Sequence, residues 1–268
     1  MSPTRKAEGR LSDLSLTALV PEVITSLGLL TGFYSLVFVI NGRFGLAALM
    51  TEIALVFDWL DGFSARALHT ASRLGVEFDS LSDVTAFGVA PAGLAYTWAL
   101  RPAGGWGATI CGLYIICAAL RLARFNIQVG SVDKSRFVGL PVTSAAAMVA
   151  GVALAYGHFE IDWPRALCAV MLPLTLILGC LMISRVPYPS FKSLSVRRAT
   201  PRMTVAMLAA LGLLVAAPEL AVFLFAFVYL LSGPVLFARG ERIQADLPGL
   251  WPASDRPVRQ GVGPKPIL

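Results

Sequence analysis

Apolar segments long enough to cross a membrane recur along this chain, separated by short connections that hold most of its charge. Roughly 20 consecutive apolar residues are needed for a helix to span the ~30 Å hydrocarbon layer. About eight such segments can be drawn: Leu16 to Ile40, Phe44 to Leu68, Asp79 to Leu100, Trp106 to Ile127, Val142 to Phe159, Arg165 to Ser184, Met203 to Ala217 and Glu219 to Phe237. Pro218 and its neighbours alone divide the last two, so a single helical hairpin is the more secure reading there. Within lipid, each backbone N–H and C=O must be satisfied inside its own segment, which makes these spans helices. The expected fold is therefore an all-α polytopic membrane protein with about eight transmembrane helices. The composition, 56% hydrophobic and 14% charged, departs from the ~25% charged residues of soluble domains in the same direction.

Charge placement orients the spans. With both termini inside, all of the 22 Lys and Arg except Arg43, Arg101 and Arg165 fall in tails, connections and span ends on the cytoplasmic side. An odd number of spans would spoil this asymmetry, so it tests the topology independently of hydropathy. The same placement explains the net charge of +6 without nucleic acid as a partner. The first apolar run lacks a convincing cleavage site and continues at spanning length, so it reads as an anchor rather than a cleaved leader. Residues 1–15 read as a cytoplasmic tail. Pro248, Pro252, Pro257, Pro264 and Pro266 rule out a regular helix in the 239–268 tail, which reads as a disordered cytoplasmic extension. Cys111, Cys117, Cys168 and Cys180 sit in apolar runs without metal-ligand spacing and read as small packing residues.

Against this background, four aspartates are conspicuous. Asp58 and Asp61 are three apart near the end of the second span; Asp79 and Asp83 are four apart at the start of the third. Both spacings put a pair on one helix face, and a short connection makes the two helices antiparallel neighbours. Each carboxylate costs roughly 2.5–3.5 kcal/mol at the centre of a membrane helix, and four together repel. Protons or metal ions must offset them. An all-oxygen donor set suits Mg²⁺ or Mn²⁺ rather than zinc, and two such ions ~3.5–4 Å apart form a clamp for displacement at phosphorus. Gly62 follows Asp61 in a helix, where glycine costs ~1 kcal/mol relative to alanine, so a ligand or another backbone is expected close by. Arg66, one turn on, offers a fork to phosphate, and Gly75 eases entry into the third span. The competing readings are a structural polar cluster and an ion pathway.

The pattern D-x-x-D-G-x-x-A-R-x8-G-x3-D-x3-D runs without a gap from Asp58 to Asp83 and resembles the signature of the CDP-alcohol phosphotransferases. Phe87-Gly88-Val89-Ala90-Pro91-Ala92, Leu120-Arg121-Leu122-Ala123-Arg124-Phe125-Asn126, Phe137-Val138-Gly139-Leu140-Pro141 and Tyr188-Pro189-Ser190-Phe191-Lys192 look like the membrane-integral phosphatidylserine synthase branch. That similarity runs from about Pro21 to Lys192; Glu22 departs from it, where the family often has Asn after Pro. The resemblance implies a six-helix catalytic core (residues 16–200) followed by a helix pair (201–238), usually in a homodimer of the inner membrane with its active site at the cytoplasmic face. It implies transfer of the phosphatidyl group from CDP-diacylglycerol to L-serine, with release of CMP. Asp58, Asp61 and Asp79 would hold one metal ion, and Asp58, Asp79 and Asp83 a second, with Asp83 also the general base. Gly62, Ala65, Arg66, Ser72 and Gly75, with Thr25 of the first helix, would line the CDP-lipid site.

The acceptor's carboxylate needs a cationic partner. Arg121 and Arg124, at the end of the fourth span, and Lys192, after the sixth, are candidates for it or for a phosphate; the alternative for each is a topology anchor. His69 and Asp133 read as solvated loop residues, His158 as an outer-side residue remote from the chemistry, and Tyr188 as an interfacial aromatic. Glycerol 3-phosphate, inositol phosphate or choline are the rival acceptors. A divalent-cation transporter is the rival class, but transport sites tend to lie near the midplane between repeats, and no repeat is visible here.

Overall fold

The computed structural model describes residues 16–68, 72–128, 136–159, 164–189 and 212–239. Both tails, most of the seventh expected span, His69, Asp133 and Lys192 lie outside the described residues. The first helix, α1 (Leu16–Ile40), and the second, α2 (Phe44–Leu68), coincide with the first two expected spans. They form an antiparallel hairpin whose turn uses Gly42 at φ 69°, a left-handed conformation open to glycine at little cost. Small residues line the contact: Ala47, Ala48, Thr51 and Ala54 of α2 are fully buried. Ser35 Oγ of α1 donates to the Ala47 carbonyl at 2.8 Å and lies 3.2 Å from Thr51 Oγ1. With no hydrophobic drive between helices in lipid, close backbones and such hydroxyl bonds are what hold a pair together.

The third helix is one continuous stretch, 73–100, named α3 here. It starts as an α-helix (Arg73–Asp83), becomes π-helical over Val84–Val89, resumes over Ala90–Ala95 and ends in a second π-helical turn, Tyr96–Leu100. Ser72 caps it by accepting from the Gly75 amide at 2.8 Å. The helix thus begins six residues before the expected Asp79, so both Asp79 and Asp83 lie inside it. The first π-helical segment passes directly over α1: a Cβ on Gly32 would stand 2.7 Å from Ala86 Cα. Only glycine lets the two backbones approach this closely, and that approach fixes the depth of Asp83, the residue just before the π-helical segment.

Helix α4 (Gly105–Gln128) packs on α6 (Pro164–Ile183), and α5 (Val142–His158) packs on both α2 and α7 (Pro218–Ala238). Tyr114 of α4 is fully buried and donates to the Phe87 carbonyl at 3.1 Å, in the π-helical segment of α3. That bond ties α4 to the π-helical segment of α3. Among the described residues all four cysteines are free, in keeping with a packing role. Among the described residues four helices are long and apolar enough to cross a membrane, with the shorter apolar α5 beside them: the protein is an all-α polytopic membrane protein.

One feature stands apart from the helices. Strand β1 (Arg136–Val138) pairs antiparallel with β2 (Pro187–Pro189), with Phe137 opposite Tyr188. The ladder ties the connection before α5 to the one after α6. Gly139, at φ 78°, follows it, and a Cβ there would fall within 3.0 Å of the Ser184 carbonyl and closer still to that of Met182. Gly139 and Leu140 then donate to Val186 and Leu181 carbonyls at 2.9 and 3.0 Å. Tyr188, expected at the membrane interface, is instead fully buried against α7 and donates to the Leu230 carbonyl at 3.3 Å. The ladder carries it inward.

Candidate active site

Antiparallel packing of α2 and α3 around α1 brings the aspartates together. One carboxylate oxygen from each of Asp58, Asp61 and Asp79 lies within 4.8 Å of the others. Asp83 joins them: its carboxyl is within hydrogen-bond reach of Asp58, and all four aspartates border one small space with Thr25, Gly28, Ser82 and Phe87. Asp61 is buried, and Thr25 Oγ1 of α1 donates to its Oδ2 at 2.7 Å. Ser82 Oγ in turn donates to the Thr25 carbonyl at 3.3 Å. Three helices therefore hold the quartet. Converging carboxylate oxygens, with no thiolate or imidazole among them, fit a hard divalent cation.

Beside the carboxylates opens a cleft lined by Glu22, Thr25, Asp61, Gly62, Ala65, Arg66, Ser72, Gly75 and Asp79. All six residues expected for the CDP-lipid, from Thr25 to Gly75, share its wall. The structure gives two of the glycines a local reason. A Cβ on Gly62 would come within 3.2 Å of the Arg66 guanidinium, so Gly62 makes room for Arg66 to fold back along its own helix. A Cβ on Gly75 would come within 3.0 Å of Ser72 Oγ, so Gly75 leaves space for the cap. Thr25 does more than line the cleft, since its hydroxyl orients Asp61. Glu22, the departure from the family pattern, also borders the cleft, where Ser72 Oγ donates to its Oε1 at 3.4 Å.

Arg121, on α4, is half-buried and within electrostatic reach of Asp83. Its Nε is buried without a hydrogen-bond partner. Arg124, one turn on, donates through Nη1 to the Ile183 carbonyl at 3.3 Å, while its Nη2 is buried and unpartnered. Asn126 ties the end of α4 to α3 by donating to Ser80 Oγ at 2.8 Å. Sequence reasoning gave Ser82 and Asn126 no individual role, because their positions depend on contacts between distant segments. His158 sits at the far end of the bundle, paired with Glu219 at 3.8 Å.

Carboxylates from two helices converge beside a cleft in a helical membrane protein, an arrangement that could hold a metal ion. Comparison with known proteins gives this class its family. The model of the CDP-alcohol phosphatidyltransferase family matches residues 18–181, and the chain belongs to that family. A CDP-diacylglycerol–serine O-phosphatidyltransferase of Helicobacter pylori is 34% identical over 218 residues, 80% of this chain and 89% of the relative. One of Mycobacterium leprae is 32% identical over 240 residues, covering 87% and 79%. An archaetidylserine synthase of Methanothermobacter thermautotrophicus is 32% identical over 183 residues, covering 67% and 74%.

Proposed function

We propose that this protein transfers the phosphatidyl group of CDP-diacylglycerol to the hydroxyl of L-serine, giving phosphatidylserine and CMP. The observation that carries this reading is the convergence of Asp58, Asp61 and Asp79, with Asp83 bordering the same small space, beside the Gly62–Arg66–Ser72 cleft that Asp61 and Asp79 share. The names of the bacterial relatives supply the acceptor.

In this reading Asp58, Asp61 and Asp79 would hold one Mg²⁺ or Mn²⁺, and Asp58, Asp79 and Asp83 a second, which when bound would supply charge compensation for the diphosphate and for the departing phosphate of CMP. Thr25 fixes the Asp61 carboxylate through the bond to its Oδ2. Gly62, Ala65, Arg66, Ser72 and Gly75 seat the nucleotide, with Arg66 as the cationic fork. Asp83 takes the proton of the serine hydroxyl as its oxygen bonds to the phosphorus and the bond to CMP breaks. Arg121 and Arg124 receive the serine carboxylate, with Lys192 a further candidate. Most of the catalysis then comes from positioning and electrostatics. The basic connections near the aspartates support a cytoplasmic face of the cell membrane for this end of the bundle, with the diacylglycerol chains in the adjoining leaflet. A homodimer is the proposed assembly.

The test feeds purified protein with CDP-diacylglycerol and, in parallel, L-serine, glycerol 3-phosphate, inositol phosphate or choline. CMP release with serine alone is expected. Release with a different alcohol, and none with serine, overturns the acceptor while leaving the chemistry.

A further inference from the structure

Asn126 closes the run Leu120–Asn126 at the end of α4, and its side chain crosses to another helix. The amide Nδ2 donates to Ser80 Oγ at 2.8 Å, and Ser80 Oγ passes its own hydrogen to the Val76 carbonyl at 3.0 Å. A hydroxyl has one hydrogen, so Ser80, directed at Val76, presents only lone pairs to Asn126, which has N–H groups to give. Donor and acceptor match, and the bond has the length of a well-formed one. Ser80 directly follows Asp79, one of the three converging carboxylates. It also stands one turn before Asp83, on a neighbouring strip of the same helix.

The far side of α4 is tied as well. Arg124 donates through Nη1 to the Ile183 carbonyl at 3.3 Å, at the end of α6. Asn126 and Arg124 are two residues apart, about 200° around the helix, so the two bonds leave α4 in nearly opposite directions. They clamp the end of α4 between α3 and α6 and set its roll. Roll matters because both arginines keep a buried donor without a hydrogen-bond partner, Nε of Arg121 and Nη2 of Arg124. Where those donors stand relative to the aspartates of α3 depends on how α4 is turned. A second bond between the same two helices, from Tyr114 to the Phe87 carbonyl at 3.1 Å, lies about 18 Å farther along α4.

We propose that Asn126 is a positioning residue: its bond to Ser80 fixes how the basic end of α4 faces the acidic turn of α3, and so how the acceptor's carboxylate is seated. The inference rests on the reading above that Arg121 and Arg124 receive that carboxylate. Acceptor binding, rather than CDP-lipid or metal binding, then senses the bond.

The experiment compares Asn126→Ala, Ser80→Ala, their double variant and Tyr114→Phe with Arg121→Gln and Arg124→Gln, all in the full-length purified protein. It reads CMP release against L-serine, CDP-diacylglycerol and Mn²⁺, with thermal midpoints alongside. Asn126→Ala and Ser80→Ala break the same bond from its two ends. Each should raise the serine KM about fivefold, the scale of one hydrogen bond between neutral groups, with the CDP-diacylglycerol KM and the Mn²⁺ requirement within about twofold of the parent. The double variant should go little further than either single one. Tyr114→Phe loses a bond between the same helices away from the arginines, so its serine KM should stay near the parent value. An equal serine KM shift in Tyr114→Phe would make the effect one of helix packing at large and overturn the proposal. A rise in the Mn²⁺ requirement or the CDP-diacylglycerol KM as large as that for serine would reduce the bond to a support for Asp79 and overturn it too. A parental serine KM in Asn126→Ala and Ser80→Ala, beside a raised one in the arginine variants, overturns it while sparing the acceptor reading. A parental serine KM in both arginine variants removes both.

Discussion

Helix α2 carries acidic side chains into two different cavities. Near its C-terminal end, Asp58 and Asp61 meet Asp79 and Asp83 across α3, and Asp61 takes a hydrogen bond from Thr25. Closer to its N-terminal end, Glu52 borders a larger cavity at the other end of the bundle, lined by Trp98, Tyr156, His158, Glu219 and apolar residues. Its Oε1 is buried without a hydrogen-bond partner. The roomier cavity holds Glu52 with one oxygen buried and unpartnered, and Glu219 at its mouth beside His158, whereas the smaller space has four carboxylates and a supporting hydroxyl. Function follows the second arrangement, because carboxylates gathered against their own repulsion call for protons or a cation to offset them, and one buried acid apart from any other does not.

The largest effects should come from breaking the gathered site. Asp58→Ala, Asp61→Ala and Asp79→Ala should each lower CMP release by about a thousandfold, the scale for losing a principal electrostatic element. Asp83→Asn should do the same while the protein still inserts and keeps its thermal midpoint. Near-parental turnover by Asp83→Asn would remove it as the base. Equal loss on Glu52→Ala would erase the distinction between the two cavities.

Thr25 tests how finely the quartet is held. Thr25→Val keeps the shape and removes the 2.7 Å bond to Asp61. Side chains that orient a metal ligand are typically worth 10–100-fold in metal affinity. After chelation with EDTA, the variant should therefore need about 10–100-fold more Mn²⁺ than the parent to recover activity. Recovery at the parental concentration would demote Thr25 to a wall of the cleft.

How much of this was legible in the sequence depends on the range of the interaction. The bounds of α1 and α2 follow from hydropathy, since the polar turn at Asn41–Arg43 interrupts two apolar runs. The aspartate convergence was also readable, because i,i+3 and i,i+4 spacings on neighbouring antiparallel helices leave few alternatives. The early start of α3 was hidden: Arg73–Phe78 contains Arg73 and Glu77, so no apolar signal marks it, though Ser72 as a cap did offer one. The π-helical segments were hidden because hydropathy does not report hydrogen-bond register. Pairing of Phe137 with Tyr188 joins segments some fifty residues apart, and three-residue strands beside Gly and Pro carry too short a period to read. Glu52 could have been found, as a lone acid in an apolar run.

The far cavity sharpens the comparison from the other side. Glu52→Gln removes an ionisable group from a site that gives its Oε1 no partner. Replacing an uncompensated buried acid with a neutral isostere is neutral or stabilising. CMP release should stay within about twofold of the parent, and the thermal midpoint should be unchanged or higher. A strong loss of activity with an intact fold would show that this end of the bundle is coupled to the aspartates.

The smallest effect is expected at the mouth of that cavity. His158 and Glu219 approach to 3.8 Å but are each about 40% exposed, and the pair is ionic only when the imidazole is protonated. Exposed pairs of this kind contribute about 0–1 kcal/mol. His158→Ala should therefore shift the thermal midpoint by at most a few degrees, roughly what 1 kcal/mol does in a chain of this size, and leave CMP release unaltered. A clearly larger shift would assign the difference to lost packing of the imidazole against Phe159, whose ring centroid is 5.3 Å away, rather than to the ion pair.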